Sequence, residues 1–313
     1  MSRNATKDLT TGSPMKLILG FGIPLLFGML FQQFYNMMDT IIVGKFLGVS
    51  ALASVGATGS INFMIIGFCM GVCNGFAIPV AQRFGAKDEH GMRKFVANSV
   101  WLSIIFAVVM AVLVCVFCRQ ILELMNTPED IIDGSYSYIF VIFLGIPATY
   151  MYNLLSGIMR SLGDSKTPLY LLIFSSILNI ILDLLSIIVL KMGVAGAAWA
   201  TVIAQAVSGF CCLGVIWKKF PILHVQREEW QPDKLCILNL CNMGIPMGLQ
   251  YSITAIGSVI IQAAVNSLGS VAVASVAAAV KINMFLCCPY DAMGSTMATY
   301  AGQNVGAEIG RAH

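Results

Sequence analysis

Asp39 and Asp183 are carboxylates set inside apolar runs, and oxygen-bearing side chains accompany both at helical spacing. Gln32, Asn36 and Asp39 fall at i, i+4 and i+7, so one helix face carries all three. Asn179 and Asp183 are four residues apart with Ser175, Ser176 and Ser186 nearby, and Thr201 and Gln205 repeat that spacing. An ionised carboxylate within a bilayer costs roughly 2.5–3.5 kcal/mol, so such residues turn toward protein or water. A lone buried acid can serve as a hydrogen-bond acceptor, but two in one bundle read as a cation site. Hard cations take carboxylate, carbonyl and hydroxyl oxygens. Asp39, Asn179, Asp183 and Thr201 supply that set, suited to Na⁺ or to a proton. Burial and mutual repulsion both oppose ionisation, so the two acids are expected to titrate as a pair.

Other polar positions are weaker candidates. Gln250, Thr254, Ser258, Gln262 and Asn266 recur every four residues. At 3.6 residues per turn such a row drifts about 40° per step, which suits either a cavity lining or interhelical hydrogen bonding. Asp291 lies near the middle of the last apolar run, whereas Lys281 lies where its ammonium could snorkel. Tyr138, Tyr150 and Asn153 share one segment and read either as cavity residues or, for the aromatics, as interfacial anchors. The candidate substrate cavity is therefore Gln32, Asn36, Tyr138, Asn153, Gln250, Thr254 and Asp291. Gly67, Gly71 and Gly75 form a GxxxGxxxG stripe, a close-packing face. The ten cysteines lie in or beside apolar runs and behave as small hydrophobes. No phosphate-binding Gly loop, HExxH or Ser–His–Asp pattern occurs, so neither ATP-driven transport nor an enzyme is indicated, and no cofactor is expected.

The elements that hold these residues are apolar. Hydrophobic residues make up 58% of the 313 and charged ones 11%. Mean hydropathy is +0.84, which specifies an all-α polytopic membrane protein. Apolar segments near 16–43, 51–80, 95–118, 136–158, 168–190, 193–217, 236–266 and 271–300 give eight helices. In the first, Pro24 removes a backbone donor and permits a hinge. Thirteen Lys and Arg flank alternate ends, from Arg3 to Lys234, against Lys45, Arg119 and Lys191 on the other side. This asymmetry places the N-terminus in the cytoplasm, and the chain is expected in the cell inner (plasma) membrane. On that reading Arg160 and Lys166 are loop charges that fix topology.

An internal repeat follows. Gly22-Ile23-Pro24 recurs as Gly244-Ile245-Pro246, and the stretch from Leu47 to Ala86 recurs from Leu268 to Ala307 at a constant offset of 221. Six helices separate the copies, an even number, so both have the same orientation: two parallel six-helix bundles with a path between them. The expected division is a tail at 1–14, an N-lobe at 15–219, an interlobe loop at 220–234 and the first two C-lobe helices at 235–307. Residues 308–313 depart from the first copy and read as an atypical, artefactual terminus, and the chain reads as a fragment of a longer protein.

With these residues in view, the chain resembles the multidrug and toxic compound extrusion (MATE) family, closest to its DinF-like bacterial branch, over residues 14 to 307. The markers are Pro24 with Asp39-Thr40, the run Ala81 to Ala86, Arg160 to Asp164 and Gly196 to Thr201. The resemblance implies twelve helices in two lobes and antiport of amphipathic organic cations against H⁺ or Na⁺ by alternating access. It also implies that Asp39, Asn179, Asp183 and Thr201 form the N-lobe ion site and that the first helix bends at Pro24. The NorM-like branch carries an acid on the seventh helix where this chain has Thr254, which favours an N-lobe site alone. Expected partners are small organic cations and the lipid bilayer, with no nucleic acid, and the protein is expected to be a monomer. The alternatives are a flippase for lipid-linked saccharides, which should line its cavity with Arg and Lys, or a non-transporting membrane protein or enzyme.

Overall fold

A computed structural model describes residues 6–125, 127–266 and 270–308. Every regular element among the described residues is helical. The first expected span is a single helix, α1 (Pro14–Leu47), with Pro24 inside it. The second is broken into α2 (Val49–Ala57) and α3 (Gly59–Gly85). Next come α4 (Glu89–Val116) and the short α5 (Cys118–Leu124). The fourth span is also broken, into α6 (Ile132–Leu144) and α7 (Ile146–Ser161), bent by 46°. After α8 (Lys166–Leu184) a π turn (Leu185–Val189) leads to α9 (Gly193–Lys219). Two 3₁₀ turns, Pro221–Leu223 and Arg227–Trp230, precede α10 (Lys234–Asn266) and α11 (Ser270–Gly306). These elements match the eight apolar segments expected. Among the described residues five helices are long and apolar enough to cross a membrane, or six with the bent α6–α7 pair taken as one span. At 33 and 37 residues, α10 and α11 also exceed the length a bilayer requires.

Where lipid is the solvent, apolar side chains have no reason to turn inward. Phe27, Phe31 and Phe34 of α1 are exposed, as are Ile104, Ile105, Val108, Val109 and Val112 of α4. The interior is packed around Phe76, Phe143, Tyr150, Ile158 and Met159, all at most 1% exposed. The bend between α6 and α7 has a local cause. Gly145 sits where a Cβ would strike Val202 of α9, and Pro147 in the first turn of α7 offers no amide hydrogen.

Small residues set the closest helix approach. A Cβ on Gly71 would come within 2.5 Å of the Met247 carbonyl oxygen, and one on Gly75 within 2.5 Å of the Gly244 Cα. A Cβ on Gly67 would lie 3.3 Å from that of Tyr251. The glycine stripe of α3 is thus the surface against which α10 packs, as its spacing suggested. The two repeat copies also touch reciprocally. Gly85 abuts the Gln303 backbone and Gly306 abuts that of Gln82, and each partner is the other's image at an offset of 221. A contact in which i meets j and the image of j meets the image of i is the mark of a two-fold relation.

Residues 6–13, expected as a tail, are tied into this same end. Lys7 N donates to the Leu162 carbonyl at 2.9 Å and Leu9 N to Gln303 Oε1 at 2.9 Å. Gln303 Nε2 in turn donates to the Ser161 carbonyl at 2.8 Å, and Asn304 Nδ2 to the Leu9 carbonyl at 3.3 Å. Leu9 is 1% exposed and packs with Phe21, Leu25 and Tyr300. At this end too, the interlobe segment is strapped to α4. The buried Glu229 accepts from Arg93 Nε at 2.8 Å and from Gln226 N at 2.8 Å, with His90 Nδ1 at 2.9 Å. Asn98 Oδ1 accepts from Asp233 N and Trp101 Nε1 donates to the Trp230 carbonyl. Burial opposes ionisation of Glu229, but the Gln226 amide, Arg93 and His90 together hold its carboxyl below the ordinary glutamate range.

Candidate functional site

The four expected ion-site residues come together from three helices. Asp39 is on α1, Asn179 and Asp183 are on α8, and Thr201 is on α9. Asn179 and Asp183 are 1% and 0% exposed, and Asp39 is half-buried. The Asp39 and Asp183 carboxyls are each other's interacting groups. Asn179 Nδ2 donates to Thr201 Oγ1 at 3.2 Å, so the amide oxygen of Asn179 is left free. Asp39 Oδ1, both Asp183 oxygens and Asn179 Oδ1 are buried with no hydrogen-bond partner among the described residues. Two ionised carboxylates have no hydrogen to share, and an unsatisfied buried acceptor costs about 1–3 kcal/mol. The cluster is therefore short of positive charge or of a donor. A proton held between the acids, or a hard cation on these oxygens, supplies what is missing.

Two tyrosines complete this cluster. Tyr35 OH lies 3.3 Å from Thr201 Oγ1. Tyr35 and the buried Tyr138 both count Asp39 and Asp183 among their charged neighbours. Tyr138 was expected on a substrate cavity; its hydroxyl instead belongs with the acids. Tyr35 was passed over, although it stands four residues before Asp39 and so on the same face.

Local chain geometry places Asp183 at a structural irregularity. Directly after it the helix widens into the π turn, where Leu190 N donates to the Leu185 carbonyl and Met192 N to the Ser186 carbonyl. Ser186 Oγ donates to the Asp183 carbonyl at 3.2 Å. Gly196 of α9 packs on Ser186, and a Cβ there would lie 3.0 Å from its hydroxyl. π turns frequently accompany functional positions because they displace a side chain from regular register. Pro24 lies within the unbroken α1, where it leaves the Gly20 carbonyl without a helical donor.

Of the expected cavity residues, Gln250 and Asp291 line one cavity of about 270 Å³ between α3, α7, α10 and α11. Gln32, Asn36, Tyr138, Asn153 and Thr254 do not line it. Asn153 and Thr254 have turned back onto their own helices, donating to the Thr149 carbonyl at 2.8 Å and the Gln250 carbonyl at 2.9 Å. Gln32 is half-buried and Asn36 is exposed on α1. Ser258 likewise donates to the Thr254 carbonyl, while the side chains of Gln262, Asn266 and Lys281 lie outside the described residues. A residue assigned to a loop enters the cavity instead. Arg160, in the last turn of α7, lines it and donates from Nη2 to Asn74 Oδ1 at 3.2 Å.

Comparison with known proteins finds relatives over almost the whole chain. A family profile described as MatE matches residues 24–185. The probable multidrug resistance protein YpnP of Bacillus subtilis (strain 168) is 30% identical over 301 residues, which cover 96% of this chain and 67% of that protein. The multidrug export protein MepA of Staphylococcus saprophyticus is 25% identical, over 87% of this chain and 60% of its own length. A solved structure of a multidrug resistance MATE family transporter of the MOP superfamily, in its outward-facing conformation, superposes with a TM-score of 0.90. It is 25% identical and covers 98% of this chain, which spans 68% of that one. The chain thus spans about two thirds of the length of the curated relatives it matches.

Proposed function

The chain belongs to the MatE family, whose members are transporters and not enzymes, and from that premise we propose that it forms the N-lobe and part of the C-lobe of a secondary active multidrug antiporter. It exports amphipathic organic cations in exchange for H⁺ or Na⁺ by alternating access. The observation that carries this reading is the neighbouring pair Asp39 and Asp183, of which Asp39 Oδ1 and both Asp183 oxygens are buried with no hydrogen-bond partner among the described residues. Uptake of a proton or Na⁺ removes one negative charge from the pair, relieves its mutual repulsion and permits α1 to repack about Pro24, which couples the ion to the substrate path. Asn179, Thr201 and Tyr35 orient the pair. Charge asymmetry supports an N-terminus in the cytoplasm, so the end that carries Arg83, Lys87 and Lys166 faces inward. One charge moving inward at 100 mV supplies about 2.3 kcal/mol. A flippase for anionic saccharide lipids finds less support, because a single arginine shares the cavity with Asp291.

The test is ethidium efflux from cells expressing the full-length gene, measured with and without an ion gradient. Efflux should depend on the gradient and vanish in Asp39→Asn. Gradient-driven efflux that survives this substitution would remove the acid pair from the coupling. Repeating the measurement in sodium-free buffer across a pH series separates H⁺ from Na⁺.

A further inference from the structure

Residues 7–9 stand where three elements meet, the start of α1, the end of α7 and the end of α11. Lys7 N and Leu9 N are bonded to opposite lobes, to the Leu162 carbonyl of the one and to Gln303 Oε1 of the other. Between them the chain turns, with Asp8 Oδ1 accepting from Thr10 N at 2.8 Å, and Lys7 is exposed while Leu9 is buried. Gly163, after α7, is held at φ +84°, and a Cβ there would strike the Lys7 carbonyl, so both its own turn and the approach of the strap call for glycine. The side chains of the strap reach the hinge of α1. Leu9 packs on Phe21 and Leu25, three residues before Pro24 and one after it, and on Tyr300 of α11. A Cβ on Gly20 would lie 3.4 Å from Lys7 Nζ, so the ammonium stands beside the residue whose carbonyl Pro24 deprives of its helical donor.

A carbonyl freed inside a membrane-spanning helix needs a donor from outside that helix. Lys7 carries three donors on a flexible stem. Leu9 depends on the shape of α1 in another way. A bend at Pro24 moves Phe21 relative to Leu25, and one leucine cannot stay packed on both. Because the Leu9 amide and carbonyl are also bonded to α11, losing that seat loosens the junction between the lobes. We propose that residues 7–9 are a latch that makes bending of α1 at Pro24 and opening of the inner lobe junction a single event, with Leu9 as its bolt and Lys7 as the donor that serves the Gly20 carbonyl. The inference rests on the transporter reading, in which ion uptake at Asp39 repacks α1, and it supplies the route by which that repacking reaches the inner face. Lys7 and Leu9 are on this account positioning residues.

The reporter is Ala81 of α3, 1% exposed and packed under Gly302 of α11, where a Cβ would lie 3.2 Å from that of Ala81. Ala81→Cys is placed in the full-length transporter with its native cysteines replaced. Its alkylation by a membrane-impermeant maleimide is timed from the inner side, alongside thermal unfolding in detergent. Leu9→Ala should raise the rate by about tenfold or more, since the buried contact is lost from the closed state alone. Lys7→Gln should raise it several-fold and Lys7→Arg should not, because arginine keeps both charge and donors. The decisive comparison adds Pro24→Ala, which returns an amide hydrogen to the Gly20 carbonyl; in that background Lys7→Gln should change nothing further. An equal rise with and without Pro24 would sever Lys7 from the hinge and overturn the proposal. So would a native alkylation rate in Leu9→Ala, even with a lowered melting temperature, since a tail that only packs behaves in that way. If the rates shift as expected but ethidium efflux shows no dependence on an ion gradient, the latch holds and it is the antiporter reading that fails.

Discussion

At the scale of single residues, the acid pair was legible because a charge inside an apolar run stands out without any tertiary information. Asp39, Asn179, Asp183 and Thr201 could be grouped on the chemistry of their oxygens, and the fold brings them together from three helices. Tyr35 shares a face with Asp39, which the spacing could have told, but its contact with Thr201, 166 residues away in sequence, could not be read there. Its hydroxyl makes a sharp prediction. Tyr35→Phe keeps the ring and removes one neutral hydrogen bond of about 0.5–1.5 kcal/mol, so the ion concentration for half-maximal efflux should rise several-fold with maximal efflux retained. An unchanged ion dependence would make Tyr35 a packing residue only. Arg160 was misread for a different reason. Its Cα lies at a helix end, where charge signals topology, but its long side chain reaches back into the protein, and no pattern in the sequence gives the direction of a flexible stem.

Among the elements, the glycine stripe of α3 was readable and the helix breaks were not. Period and residue size define a packing face, whereas the breaks at Thr58 and Gly145 and the π turn after Asp183 depend on what lies opposite. Gly71→Leu should be severely destabilising, because its Cβ would meet the α10 backbone rather than a movable side chain. Thermal unfolding in detergent checks this, and a melting temperature within a degree or two of the native value would contradict it. The strap on α4 yields a pH prediction. Glu229 has its carboxyl lowered by the groups around it. Its contribution to stability is therefore present above the ordinary glutamate value of about 4.3 and lost as pH falls through the lowered one. Amide exchange across residues 226–230, corrected for its intrinsic pH dependence, should show protection at neutral pH that disappears below about pH 4. Glu229→Gln should lose that protection already at neutral pH.

For the molecule as a whole, the repeat told more than any single helix. A constant offset of 221 residues matched the copies and the even number of helices between them gave their parallel relation, and matched residues meet in the structure as reciprocal contacts of Gly85 with Gln303 and Gly306 with Gln82. What the repeat could not convey is that residues 6–13 are inserted at this junction, because the matching residues begin only at Gly22. Under alternating access, opening at this end must part Gln303 from Leu9 and Ser161 together. Cysteines placed at Leu9 and Asn304, whose groups are hydrogen-bonded, should therefore lock the transporter when oxidised and release it on reduction, with each single cysteine as control. Undiminished efflux with the crosslink formed would show that this end does not move.

The reciprocal junction also has a mechanical meaning. A clasp fastened at one point lets its halves swivel; one fastened twice, at equal distances from an axis, resists twisting and can be undone only by drawing both halves straight apart. At both fastenings a glycine lies against backbone, Gly85 against Gln303 and Gly306 against Gln82, so neither has a flexible side chain there that could yield. A methyl group added on either half should wedge both fastenings at once.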